Sequence, residues 1–218
     1  ETDITTQSNN EIVVQIPGPA NDETRDRIAA SAQMQLRAVL YTTAASTSFV
    51  GEDGKQTPYP TPDPTLAATP SAAPWQRLAA PTDGSDLNWV TPKLQAEFLA
   101  YDCANPTNDP AEQPKDQPLI ACDPSGTAKY LLGPVELDGS SITDASAGMN
   151  SQTGQWVVNV VFDGDGAKVF ADVSKSLYAF TQAGTTPRNQ FAFVLDGQVI
   201  SAPTMNGVIT DGKPVISG

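Results

Sequence analysis

Apolar positions fall into clear rhythms near both ends of the chain and lose that rhythm in between. Ile12, Val13, Val14 and Ile16 form a β-branched run stopped by Pro17-Gly18-Pro19, which predicts a strand and then a turn. Asn21 can cap a helix over roughly 22–30, with Asp22 and Glu23 at its positive end. After Ser31 the pattern changes. Met34, Leu36, Ala38 and Leu40 alternate with Gln33, Gln35 and Arg37, and a period of two predicts a strand with its apolar set on one face. The opening therefore reads β-α-β.

The last third is regular again. Tyr130–Leu132 is a short apolar run ended by Gly133-Pro134. Trp156–Phe162 is dense in Val and aromatic residues and reads as a buried strand. Asp163 caps a helix from about Asp165 to Phe180, with Val169, Phe170, Val173 and Leu177 on one face. Phe191–Leu195, Asp196-Gly197 and Gln198–Ser201 predict a hairpin, because Asp-Gly supplies the positive φ angles of a tight turn. A last strand over Pro214–Ser217 follows the turn at Asp211-Gly212.

Between these ends, residues 44–128 look irregular. Thirteen of the 19 prolines lie between Thr57 and Pro124, so neither long helices nor central strands are expected there. The exception is Thr91-Pro92, a cap followed by proline at the first helical position, leading into a helix to about Tyr101. Leu94, Phe98 and Tyr101 give that helix one apolar face. Trp75 and Trp89 are expected to pin the loops around it.

Composition narrows the function. The net charge of −13 comes with scattered cations and no basic stripe, which excludes nucleic-acid binding. The absence of histidine removes Ser-His-Asp and Cys-His catalysis, His-based zinc sites and a histidine pH switch. No cofactor is implied. Cys103 and Cys122 lie in turn-like surroundings and read as a disulfide in an oxidising compartment, the alternative being two free cytosolic thiols. Such a bridge stabilises the fold by about 3 kcal/mol in the chain-entropy model. No run of 18 apolar residues or signal peptide is visible, and the ends at Glu1 and Gly218 suit a piece of a longer protein.

Several ordered motifs carry a family likeness: Asn9–Gly18 (NNEIVVQIPG), Leu132–Ala147 (LGPVELDGSSITDASA), Gly154–Ser174, Phe191–Pro203 (FAFVLDGQVISAP) and Val208–Gly218. Together they resemble the SecD family of protein-export accessory subunits. The resemblance implies a large domain on the outer, extracytoplasmic face of the bacterial cytoplasmic membrane, between two membrane helices absent from this chain. It implies an α+β, two-lobed fold: a partial ferredoxin-like base and a large inserted α+β head. Mapped here, residues 1–43 and 205–218 are the base, incomplete because the family continues beyond Gly218, and 44–204 are the head. The Pro/Ala-rich insertion 44–128 matches no family motif and looks like an elaboration of a high-GC Gram-positive lineage. Unfolded preprotein, SecF and the SecYEG translocon are the implied partners, and head movement is linked to proton flow through the membrane part.

Particular residues admit sharper readings. Asp163-Gly164-Asp165-Gly166 opens like a calcium loop, but the helix starts at once and no late bidentate Glu follows, so capping is the better reading. Trp75, Leu78, Leu87, Trp89, Leu94 and Phe98 could line a groove for unfolded polypeptide, or could simply pack. A hinge between lobes would fall at Tyr41, Thr42, Thr43 and Ala44 and at Ala202, Pro203, Thr204 and Met205. The reading is a non-enzymatic binder of preprotein. The alternatives are a secreted peptide- or solute-binding module, and a hydrolase, which would need two carboxylates facing each other in a polar pocket.

Overall fold

The computed structural model describes residues 3–7, 11–15, 34–62, 80–105, 113–149, 154 and 156–217. The chain divides into two compact units, Glu1–Gln33 and Met34–Gly218. In the first, β1 (Asp3–Gln7) pairs antiparallel with β2 (Glu11–Gln15), from Asp3↔Gln15 to Gln7↔Glu11. The β-branched run is thus the second arm of a hairpin. The helix expected over 22–30, with its cap Asn21, lies outside the described residues.

The second unit is a mixed α/β fold, mostly strands, with two α-helices among the described residues. Its strands are β3 (Met34–Ala44), the short hairpin β4 (Ser48–Val50) and β5 (Gln56–Pro58), β6 (Leu119–Cys122), β7 (Ala128–Asp138), β8 (Ile142–Met149), β9 (Trp156–Phe162), β10 (Phe191–Leu195), β11 (Gln198–Ser201) and β12 (Val215–Ser217). Five of them close a barrel in the order β10-β11-β6-β7-β3, and three form a sheet in the order β12-β9-β8. Helix α1 (Pro92–Ala100) starts where expected: the Thr91 side chain accepts the Leu94 N–H. Helix α2 (Gly164–Gln182) is capped by Asp163, which accepts from the N–H groups of Asp165 and Gly166. That carboxylate is therefore committed to the helix end rather than to a calcium loop.

Three corrections concern strands. Period two in β3 predicted one polar face, yet Gln35 and Arg37 are as buried as Leu36 and Ala38. The strand sits between two packed layers. Val39 joins Leu119, Ala121, Leu132, Val194 and Val199 in a cluster fed by all five barrel strands, while Leu36 and Ala38 pack with Phe170, Phe191 and Phe193. Arg37 is accommodated by donating Nε to Gln35 Oε1 (2.9 Å) and Nη1 to the carbonyls of Gln117 and Gly133 (both 2.8 Å). Burial lowers its pKa to about 10.

Second, β7 does not end at Gly133-Pro134. The register against β3 shifts between Arg37↔Val135 and Val39↔Leu132, so both residues fall in a bulge that needs no N–H from proline. Third, the proline-rich stretch does yield a central strand. β6 pairs antiparallel with β7 and parallel with β11, and its Ala121 is fully buried rather than turn-like. The Cys103–Cys122 disulfide ties its end to the segment after α1, with a separation of 19 residues.

β3 and the C-terminal segment, both grouped with a base lobe on sequence, are built into the second unit. β3 pairs with β7 and β10, and β12 pairs with β9. The ferredoxin-like base is not seen as such in the described residues.

Candidate functional site

Helix α2 organises the candidate surface. Phe170, Val173 and Leu177 face inward, and Phe162, Phe170, Phe191 and Phe193 form a ring ladder with centroids 5.0, 5.4 and 6.0 Å apart. The chain after β11 is stapled along the helix by side chains that bond to backbone. Ser174 Oγ accepts the Ile209 N–H at 3.0 Å, and Thr181 Oγ1 donates to the Met205 carbonyl at 2.7 Å. Between this strap, the aromatic ladder and β12 lies a cleft of 130 Å³, lined mainly by Phe170, Phe193, Met205, Ile209, Val215 and Ile216. Val215 is 58% exposed at its rim. It suits one apolar side chain.

On the other flank of α2 is a 240 Å³ cavity whose lining includes Asp83, Ser85, Glu136 and Asp172. It exists because the strap at 83–85 lies close against β7. Glu136 accepts the Gly84 N–H at 2.9 Å, and Arg188, stacked 3.9 Å from the Phe180 ring, donates Nη2 to the Ser85 carbonyl at 2.8 Å. Burial, and then the like charge of Asp83, raise the Glu136 pKa above the usual carboxylate range. Two carboxylates near each other invite a hydrolase reading. Asp83, however, is already engaged in its own turn, accepting the Ser85 N–H at 2.8 Å and the Ser85 hydroxyl at 2.6 Å. The cavity can receive a cationic or hydrogen-bonding side chain. Among the described residues no cluster of carboxylate and thiol groups is arranged to hold a metal.

The three-stranded sheet forms the remaining part of this surface. Val157, Val160 and Phe162 of β9 are buried, but Trp156 is 68% and Met149 of β8 is 61% exposed. The strand expected to be buried is therefore buried only in part: Trp156, Val158 and Asn159 are exposed, and its neighbour β8 is exposed from Thr143 to Ala147.

The residues proposed on sequence to touch substrate are distributed otherwise. Trp75 and Leu78 lie outside the described residues. Leu87, Trp89, Leu94 and Phe98 come together, but as packing around Leu40 and Leu131 rather than as an open groove. Tyr41–Ala44 continue β3 and pair with Leu131–Ala128. Ala202–Met205 run alongside residues 189–191: the Phe191 N–H bonds the Pro203 carbonyl, Thr204 bridges Gln190, and the Met205 N–H bonds the Asn189 carbonyl.

Sequence reading missed Lys129, which is fully buried. Its Nζ donates to the carbonyls of Ser46 (2.8 Å), Leu99 (2.7 Å) and Tyr101 (3.3 Å) and lies 5.6 Å from the Phe98 ring centre. It clamps the end of α1 to the barrel. The only signal available was a cation one position before the apolar run Tyr130–Leu132.

Residues 116–218 match the family described as SecDF, P1 head subdomain. The protein translocase subunit SecD of Streptomyces coelicolor is 35% identical over 138 residues, covering 59% of this chain and 23% of the relative. That of Mycobacterium tuberculosis is 37% identical over 101 residues, covering 46% and 16%. The chain thus spans less than a quarter of the length of these relatives. A crystal structure of SecDF from Thermus thermophilus, a translocon-associated membrane protein, aligns with a TM-score of 0.40 at 22% identity, covering 100% of this chain and 22% of that one.

Proposed function

Because residues 116–218 match the SecDF P1 head subdomain family, we propose that this chain serves protein export by transiently holding an emerging preprotein in an extended state. It would do so on the extracytoplasmic side of the bacterial cytoplasmic membrane, beside the SecYEG translocon and SecF, in the late steps driven by the proton gradient. The observation that carries the reading is the surface within the matched stretch. An apolar cleft, exposed Trp156, Met149 and Val215, and an open sheet edge lie on the elements packed around α2. Scattered apolar contacts and main-chain groups suit a client of varied sequence better than one defined ligand. We take the role to be binding without bond chemistry. Conspicuous carboxylates are spent on structure: Asp163 caps α2, Asp123 holds the β6–β7 turn through Thr127 and Ala128, and Asp138 caps a short helical turn.

The test is equilibrium binding of a fluorescent secretory preprotein to the full-length protein. The unfolded form should bind, and the folded form of the same polypeptide should not. Equal binding of both, or of neither, contradicts the proposal.

Lobe movement about Tyr41–Ala44 and Ala202–Met205 is a further part of the proposal. Because both segments are hydrogen-bonded, it makes a demanding forecast. Their amides must exchange faster than those of Leu36–Leu40, and equally slow exchange would place any pivot elsewhere.

A further inference from the structure

Hydrogen-bond parity identifies which backbone groups of β8 face outward. The N–H groups of Val160 and Phe162 are spent on the far side of β9, on the carbonyls of Pro214 (3.1 Å) and Gly212 (2.9 Å). Residues of β9 that face β8 are therefore Val157, Asn159 and Val161, opposite Gly148, Ser146 and Asp144. The Asp163 N–H, bonded to the Ser141 carbonyl, keeps the same parity. It follows that Ala145, Ala147 and Met149 direct their N–H and C=O groups away from β9. Among the described residues β8 pairs with no other strand.

This edge lacks most of the usual guards. It has no proline and no lysine; its single charge, Asp144, and its register shift both sit at the Ile142 end. Along Ala145-Ser146-Ala147-Gly148 the side chains are small, so a second strand can approach without meeting a specificity pocket. We propose that β8 receives a translocating polypeptide as an added strand, paired to Ala145, Ala147 and Met149, with Trp156 and the exposed Met149 side chain covering it. This deepens the preprotein-holding reading and rests on it. The occupant is an extended stretch of neutral or basic sequence. The chain's net charge of −13 opposes a second copy at long range and favours a passenger of opposite sign.

Two measurements on the full chain test the edge. First, Ala147→Pro removes one outward N–H and leaves the flanking β8–β9 bonds in place, since proline is tolerated where the N–H faces solvent. Losing that bond should weaken binding of the unfolded preprotein by about fivefold or more, while Ala147→Val, which keeps the N–H, stays within about twofold. Second, hydrogen exchange in the unsubstituted protein should slow at Ala145, Ala147 and Met149 when preprotein is added, and stay unchanged at Asp144, Ser146 and Gly148. That alternating signature is readable even if Ala147→Pro does not fold. If preprotein binds but neither effect is seen, the edge proposal falls and the functional reading stands. If the unsubstituted protein binds no unfolded polypeptide, both fall. Protection that appears without preprotein and rises with protein concentration would mean that a second copy takes the edge, which overturns the proposal.

Discussion

Gly133→Ala is a perturbation whose cost follows directly from geometry. A Cβ on Gly133 would collide with the Gly84 carbonyl oxygen and lie 2.8 Å from its carbonyl carbon. Those are backbone atoms, so the strap at 83–85 must lift off β7. Lifting it stretches the Gly84 N–H bond to Glu136 (2.9 Å) and the Arg188 bond to Ser85 (2.8 Å). Overpacking costs about 1–3 kcal/mol, two weakened hydrogen bonds add about 1 kcal/mol each at most, and the loss of glycine's chain entropy returns up to about 1 kcal/mol. The net destabilisation is about 2–3 kcal/mol, a fall in Tm of roughly 5–10 °C for a unit of this size. Gly84→Ala is the internal control. Its Cβ meets only the carboxylate end of Glu136, which can swing aside, so about 1 kcal/mol is expected. Gly148→Ala, with nothing within 4 Å, should be near neutral. Urea denaturation of the three variants decides the matter. If Gly133→Ala is no worse than Gly148→Ala, the strap is not seated on β7 and the carboxylate cavity is not built as described.

Further predictions address the charges and the disulfide. Glu136 has a raised pKa, so the folded state holds its proton more tightly than the unfolded chain; stability is full below the ordinary carboxylate pKa and is lost as pH rises through the raised one. Glu136→Gln should remove the decline that sets in as pH rises past the ordinary carboxylate pKa in urea titrations. Lys129→Met keeps the aliphatic stem but leaves three carbonyls without their cation. A loss of about 2–4 kcal/mol is expected, with faster amide exchange at the C-terminal end of α1, and a stability equal to wild type would show that the clamp is dispensable. Replacing Cys103 and Cys122 by alanine should lower stability by about 3 kcal/mol, and free thiols in the protein purified without reductant would remove the basis for that figure.

Elements announced by local chemistry were legible in the sequence. Thr91-Pro92 and Asp163 start helices where expected, and Asp196-Gly197 turns a hairpin, with φ of 48° and 76°. Elements defined by distant partners were not. β8 (Ile142–Met149) has no apolar alternation to betray it, because neither of its faces is buried. β6 is four residues amid prolines and exists because β7 and β11 flank it. Gly133-Pro134 has the local look of a terminator, and only the register against β3 reveals a bulge. The site was legible only in part for the same reason. Apolar residues of the insertion looked free to bind, yet Leu87, Leu94 and Phe98 have partners in β3 and β7 that no local pattern discloses. The exposed Trp156 and Met149 stood in segments that sequence reading treated as buried or passed over.

Photo-crosslinking in living cells, on the full-length protein engaged with a stalled secretory preprotein, reaches the central claim most directly. Probes replacing Met149, Trp156 and Val215 should give preprotein adducts, and probes at Gln95 on α1 and Lys55 in the β4–β5 turn should give none. Adducts spread evenly over all five positions, or confined to the last two, would contradict the account.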